Sequence, residues 1–461
     1  MRIVRSIWSV AAARRVGRSL FHLLLIAATV TCAPSQPAVT PAPESGPAVP
    51  REGIPIPDAN LPRVGLDSLR PHPDLPLLGS DPQLRIGLTV GAVSVRVSSE
   101  IAVRPLGPDG TPVLGSPSAL SWTIVADGGA IALVAADGWR SARIDLAGFD
   151  PPPGGTGLSV DDRPYRGRIY LLRDRTGLTA INQVGLESYL AGVVSAEMGR
   201  RDSNETEALA AQAVVSRTYA IRNLGKRHAD GFDLYATVVD QVYGGMRAET
   251  PLGWNAVRET SGNILAFEGA PIDAFFFSTC GGRTADGAEV FAAAERPYLR
   301  SIRDVDASGQ VYCRFSPRYH WHEEWTVDRL RTILQQSLPA ASVAVPARLD
   351  NIESVRITDR TASDRVARIL IGTSSGSIPV SGPAIRLVLR PAADQVLRSG
   401  TFVLSETRVA GRLSALAADG MGSGHGVGFC QWGAVGRARA GQGYRQILAA
   451  YFAAAEVRQL Y

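Results

Sequence analysis

Two neighbouring segments, residues 186–198 and 204–223, constrain the fold more than any other part of the chain. In the first, Leu186, Leu190, Val193, Val194 and Met198 recur at helical spacing, with Glu187, Ser188 and Glu197 between them. Gly199 supplies a stop. In the second, Asn204-Glu205-Thr206-Glu207 reads as an Asx cap with a Glu three residues on, opening an alanine-rich helix that runs to about Asn223 and ends by Gly225. Around Arg217 and Tyr219 that helix is nearly all apolar. A helix without a polar face belongs inside a core. A chain of 461 residues, 45% hydrophobic and 20% charged, has the material to build one without a metal or disulfide merely to fold.

Strand-like sequence surrounds the helices. Leu84–Val90 and Val93–Val97 alternate at period two, and Ile131–Ala135, Arg143–Leu146 and Arg168–Leu172 continue the pattern, with a loop at Pro151–Gly155. Downstream the sequence predicts a helix near Trp254–Ser261, a strand at Ile272–Ser278, a helix over 326–336, β-rich sequence over 350–410 and a short helix from Tyr444 to Phe452. The expected fold is α+β: a β-rich N-terminal part at 81–165, then one large body at 166–452 carrying a β-rich insertion at 348–410.

The first 32 residues read as an export signal. Five arginines precede an apolar run from Leu20 to Val30, which as a helix spans roughly 16 Å against a hydrocarbon core of about 30 Å. Cys32 follows at once and precedes a Pro/Ala-rich spacer at 33–80, the placement an acylated thiol and its tether require. Thr29-Val30-Thr31 is a poor lipobox, so plain cleavage stays open beside lipidation of Cys32. The protein is therefore expected outside the cytoplasm, in the periplasm or cell envelope, with or without a lipid anchor. Those five arginines also account for the formal charge of +5, so the remainder is neutral and lacks the basic footprint of a nucleic-acid binder.

Glu197 is the carboxylate of interest. A carboxylate beside an apolar face is partly desolvated, its pKa rises, and it can keep a proton to give at neutral pH. The plain alternative is a surface Glu near a helix end.

The stretches Leu186–Met198, Glu207–Ala220, Asp240–Gly245, Phe277–Thr284, Pro297–Leu299 and Gly424–Ala434 resemble, in order, the signature blocks of the SpoIID/LytB family, the stage II sporulation protein D-like and amidase-enhancer LytB-like proteins. The resemblance implies a lytic transglycosylase that cleaves MurNAc–GlcNAc bonds of denuded glycan strands with anhydro-sugar formation. Its catalytic Glu lies in the Glu-Met pair matching Glu197-Met198. Such an enzyme uses the sugar's own C6 hydroxyl as nucleophile, so one carboxylate suffices where ordinary glycosidases need two. The family has Pro after Glu-Met where Gly199 stands here, which is expected to loosen the helix exit. Peptidoglycan glycan strands are the implied partner. The related amidase enhancers imply the alternative, a non-catalytic peptidoglycan-binding module that serves a wall amidase.

Within these blocks Gln212, Arg217, Tyr219, Tyr243, Ser278, His425, Gln431 and Trp432 are the candidates for substrate binding. Arg217 and Tyr219 suit sugar oxygens or, equally, an ion pair inside a helical core. Tyr243 and Trp432 suit sugar faces or the core. The glycines of Gly422–Gly436 lack dinucleotide-loop spacing and are read as tight turns beside His425 and Gln431. Cys280, Cys313 and Cys430 leave three readings open: a Cys280–Cys313 disulfide, a zinc site of thiols with an imidazole, or free thiols. Without Cys-x-x-Cys spacing, no metal or cofactor is expected and zinc is not favoured. A hydrolase built on Cys280 or Cys430 with His425 lacks a recognisable base and orienter.

Overall fold

The alternating sequence after Gln83 does become strand. In the computed structural model, which describes residues 81–154, 157–291, 295–344, 349 and 351–461, the N-terminal elements are β1 (Gln83–Ala92), β2 (Ser94–Val103), β3 (Ala119–Asp127), β4 (Ala130–Ala135), β5 (Leu146–Phe149), β6 (Leu158–Val160), β7 (Arg163–Tyr165), β8 (Arg168–Arg173) and β9 (Leu178–Gly185). The expected export signal, Cys32 and the spacer lie outside the described residues.

One sheet runs β4-β3-β2-β6-β7, and another runs β1-β9-β8-β5 with the later strand β10 (Leu234–Tyr235) added in parallel beside β1. Period-two alternation turns Leu84 and Ile86 of β1 and Val95 and Val97 of β2 inward, against Trp122 and Ile124 of β3. The Trp122 indole N–H donates to Val103 O at 3.1 Å, which lets the largest side chain of this layer be buried whole.

β9 runs directly into α1 (Leu186–Met198), and α2 (Thr206–Arg222) follows. Every residue of α2 from Ala208 to Ile221 is buried, as a helix without a polar face demands. The cap differs from expectation. A turn of 3-10 helix at Ser203–Glu205 precedes α2, and Asp202 N–H donates to the Glu205 carboxylate at 3.1 Å. Glu207, expected as the capping acid, instead accepts from Tyr444 N–H at 2.6 Å and ties α2 to the C-terminal helices.

The remaining elements are α3 (Pro251–Glu259), β11 (Asn263–Phe267), β12 (Ala270–Pro271), β13 (Phe276–Phe277), α4 (Gly287–Phe291), β14 (His320–Thr326), α5 (Val327–Ala340), β15 (Ile352–Arg360), β16 (Val366–Thr373), β17 (Gly376–Ser381), α6 (Ala384–Val388), β18 (Phe402–Val409), β19 (Arg412–Met421), β20 (Phe429–Cys430), α7 (Gln431–Arg439), α8 (Tyr444–Tyr451) and β21 (Glu456–Gln459). α1, α3, β11, α7 and α8 pack around α2. Pro251 opens α3 earlier than expected, with Thr250 accepting from Gly253 N–H at 3.0 Å. The apolar run 272–278 yields only the short β13, which pairs in parallel with β20.

A second hydrophobic cluster is built from β14 to β19, with Trp325, Leu330, Leu334, Ile369, Ile371 and Leu416 at its centre. It extends from Trp321 to Ala418. Helix α5 and strands β14 and β19, outside the expected insertion at 348–410, share this apolar interior. The architecture is α+β, two cores in one chain.

Candidate functional site

Glu197 is carried by the last turn of α1. Its Oε1 accepts from Val242 N–H at 2.7 Å, and its Oε2 faces Gln431 Nε2 at 3.5 Å. Burial raises its pKa above the ordinary carboxylate value, and the Val242 and Gln431 donors offset only part of that. No charged group contacts the carboxylate among the described residues.

The Val242 donor is placed by a close approach. A Cβ on Gly192 would meet the Tyr243 ring at 2.6 Å and Gly245 O at 3.0 Å, so only glycine lets α1 lie so near the 240–245 loop. Gly244 N–H donates to Gly192 O at 3.2 Å, joining loop to helix. Buried Tyr243 packs against Tyr189 with the rings tilted by 47° and donates to Asn182 Oδ1 at 3.0 Å. Tyr189 in turn donates to Gln241 Oε1 at 3.2 Å. Asp240 closes the loop by accepting from Tyr219 O–H at 3.0 Å, Lys226 Nζ at 3.1 Å and Tyr235 N–H at 2.9 Å.

From the other side comes α7, whose first residue is Gln431. Gln431 Nε2 also points at Gln212 Oε1, 3.4 Å away, and Gln212 Nε2 donates to Ser216 Oγ at 2.9 Å. An ionised Glu197 can only accept, so Gln431 turns its N–H face to Oε2 and to Gln212 Oε1. Trp432 follows, its backbone N–H donating to Ser278 O at 3.0 Å and its ring covered by Arg201 at 4.3 Å.

The structure thus brings together Glu197, Gln212, Gln431 and Trp432, with Ser278 behind through its carbonyl. It places the other candidates elsewhere. Arg217 is fully buried, with its guanidinium donating to Glu187 at 2.7 Å through two nitrogens, to Asn263 O at 3.1 Å and to Val257 O at 3.3 Å. No N–H face is left for a sugar, and the ion pair inside the core is what stands. Tyr219 and Tyr243 are buried hydrogen-bonding side chains rather than open platforms. His425 lies among Phe275, Phe277 and Phe291, with Nε2 against Phe276 O at 2.9 Å and Nδ1 accepting from Val427 N–H at 3.1 Å. Burial pulls its pKa down to about 3, so it stays neutral and braces the 424–427 turns. The sulfurs of Cys280 and Cys313 are 3.4 Å apart as free thiols, beyond the roughly 2.05 Å of a disulfide. Cys430 joins them, but the His425 imidazole does not; Asp304 does.

Sequence reasoning missed Val242, which contributes only a backbone N–H and has no side-chain signature. It also missed Arg201, whose Nε is buried without a partner among the described residues. An arginine three residues beyond the helix-ending Glu-Met was a usable signal. A concavity of about 750 Å³ lined by His320, His322, Arg360 and Asp419 belongs to the second core and shares no residue with Glu197's surroundings.

Residues 174–267, which carry α1, α2 and the 240–245 loop, match the family described as SpoIID, stage II sporulation protein. Stage II sporulation protein D of Bacillus subtilis is 29% identical over 303 residues, covering 62% of this chain and 78% of that protein. These matches support the SpoIID/LytB family for this chain. An uncharacterized protein of Brachyspira hyodysenteriae is 28% identical over 300 residues, 64% of this chain and 73% of its own. The amidase enhancer of Bacillus subtilis is 30% identical over 294 residues, 57% of this chain but 39% of the enhancer. Residues 313–428, spanning the second core, match a domain of unknown function, DUF8618.

Against the SpoIID/LytB pattern, Gly199 does not act as a loose joint. Its φ of +69° lies outside what proline can adopt, and its N–H still donates to Ser195 O at 2.9 Å. The chain leaves α1 by a left-handed step that needs glycine, so Glu197 sits on a hydrogen-bonded last turn.

Proposed function

We propose that the protein is an exported lytic transglycosylase of peptidoglycan, acting in the cell envelope on glycan strands stripped of stem peptides, with Glu197 as its one acid–base group. The observation that carries this reading is a partly buried carboxylate with a raised pKa, held by neutral donors alone. A glycosidase working through water or a covalent intermediate needs a second carboxylate. A group that gives and then takes back one proton does not.

The chemistry follows from the two oxygens. Val242 N–H occupies Oε1, so the proton rides on Oε2. It passes to the glycosidic oxygen as the bond between MurNAc C1 and that oxygen breaks. The C6 hydroxyl of the same MurNAc closes on C1, and its proton goes to Oε2. A C–O bond is broken, another formed, and no water is consumed. Gln431, oriented by Gln212 and Ser216, steadies the carboxylate while it is charged. Cys32, next to the export signal, is the candidate anchor point.

Digestion of denuded strands in heavy-oxygen water tests the reaction type. The expected products are anhydro-muramyl ends free of the label. Labelled reducing ends would replace this reading with hydrolysis. The likeness to an amidase enhancer supports a second reading, in which the same surface binds peptidoglycan and serves a wall amidase without cutting glycan. Bound strands with no new ends, together with a faster amidase, would favour it.

A further inference from the structure

The cysteines that the proposed reaction does not use meet in one place. Cys280 lies in the loop after β13, Cys313 in a 3-10 turn at Tyr312–Phe315, and Cys430 ends β20 and caps α7. Their sulfurs and a carboxylate oxygen of Asp304 all lie within 4.8 Å of one another. The four residues are at most 2% exposed. We propose that this cluster is a structural zinc site, with Cys280, Cys313 and Cys430 as thiolate ligands and Asp304 as the fourth.

The spacing is that of a tetrahedral shell. Thiolates held about 2.3 Å from zinc stand about 3.8 Å from each other, and the Cys280 and Cys313 sulfurs are 3.4 Å apart. Small rotamer adjustments complete the shell. Backbone donors also converge on sulfur: the N–H groups of Cys280 and Gly433 each point at Cys430 Sγ from 3.2 Å, and Gly282 N–H points at Cys280 Sγ from 3.4 Å. A neutral thiol is a weak acceptor. Donors aimed in this way suit sulfurs that carry charge, and buried charged sulfurs need a cation among them.

Asp304 is braced as a metal-binding carboxylate is braced. Its Oδ1 accepts from Arg437 through Nε at 3.0 Å and a terminal nitrogen at 2.9 Å. Its Oδ2 accepts from Tyr451 O–H at 2.8 Å and faces the Cys280 sulfur at 3.3 Å. One oxygen is thus held from behind while the other is turned into the sulfurs, the outer-shell support that orients a ligand. A Cβ on Gly433 would strike both Asp304 Oδ2 and Tyr451 Oη at 2.1 Å, so the backbone leaves room at this point. Soft thiolates select zinc over calcium or magnesium. Two positive charges on the metal and one on Arg437 offset most of the ligands' negative charge, and binding releases the thiol protons.

A Cys280–Cys313 disulfide would leave Cys430 buried with two backbone donors still aimed at it and would make no use of Asp304. In the zinc form, the metal ties the loop at 280–282 and the turn at 312–315 to the N-terminus of α7. Gln431, the residue after Cys430, is fixed with it. This site stands independently of the reaction assigned to Glu197.

The test uses the full-length protein purified without chelator. Metal content is measured by mass spectrometry, and Cys280, Cys313 and Cys430 are mapped by alkylation in denaturant. The expected result is one zinc per chain with the three cysteines alkylated. Cobalt(II) added to the stripped protein should give a thiolate charge-transfer band and the visible spectrum of a tetrahedral site. Cys313→Ser and Asp304→Asn should each weaken zinc binding at least about tenfold. A mapped Cys280–Cys313 disulfide, or free thiols with neither zinc nor a cobalt spectrum, would overturn the proposal. The wild-type measurements decide this even where a variant does not fold.

Discussion

The two ends of α1 carry the same side chain and treat it in opposite ways. Glu187, in the first turn, accepts both Arg217 nitrogens at 2.7 Å and the Tyr461 hydroxyl. The helix dipole also favours an anion at that end. Glu197, in the last turn, meets the unfavourable end of the dipole, has no cation in contact among the described residues and loses water to burial. Where its charge is met, a carboxylate ties elements together. Where the charge is left unmet, burial raises the carboxylate's pKa and holds its proton more firmly. The difference lies in what each end of the helix is packed against.

The largest effect should come from breaking the satisfied end. Arg217→Ala leaves Glu187 without its partner and opens a hole beside Val257 and Asn263, so chemical denaturation should show a loss of about 3–5 kcal/mol. A loss below about 1 kcal/mol would mean that the pair is not the tie described here. At the other end, Gln431→Ala should lower turnover of glycan about tenfold, the worth of one hydrogen bond to a charged group, while sedimentation with cell walls is unchanged. Equal loss of both would turn Gln431 into a binding residue.

The pH dependence sharpens the contrast. Turnover should fall on the alkaline side as Glu197 loses its proton, and no limb from His425 should appear between pH 5 and 8, since its pKa is down at about 3. The smallest effect is on stability. Because the folded pKa of Glu197 is raised, the stability it contributes is full below the ordinary carboxylate value and is lost as pH rises through the raised one. A neutral glutamine side chain in its place suffers no such loss. Glu197→Gln should therefore melt higher than wild type at pH 8 and show no gain at pH 4. Equal melting at both pH values would place Glu197 in water.

Both helices were legible because their pattern leaves one solution, a buried pair, and the Glu-Met at the end of the first was legible with them. What was not legible depended on contacts distant in sequence. Periodicity marks Arg217 as odd on an apolar helix but cannot name Glu187, and it cannot tell a sugar-facing Tyr243 from one bonded to Asn182. The cap slipped to Asp202 and Glu205 because Glu207 was taken by Tyr444, from the far end of the chain. Asp304 carries no motif and meets Cys280 only because Arg437 and Tyr451 hold it there. The amphipathic α5 reads as a helix of either core until its partners are known, and they are those of the second core.

Whether Glu197 carries the proton is tested directly by one substitution. Denuded peptidoglycan strands are incubated with wild type and with Glu197→Gln, and anhydro-muramyl ends are counted by mass spectrometry alongside wall binding. The substitution keeps the size and the Val242 hydrogen bond but leaves no proton to give and retake. Wild type should release anhydro ends, and the variant should release them about 10²–10⁴ more slowly with unchanged binding. Anhydro ends released equally by both proteins, or strands bound by both with no ends released by either, would contradict that role for Glu197.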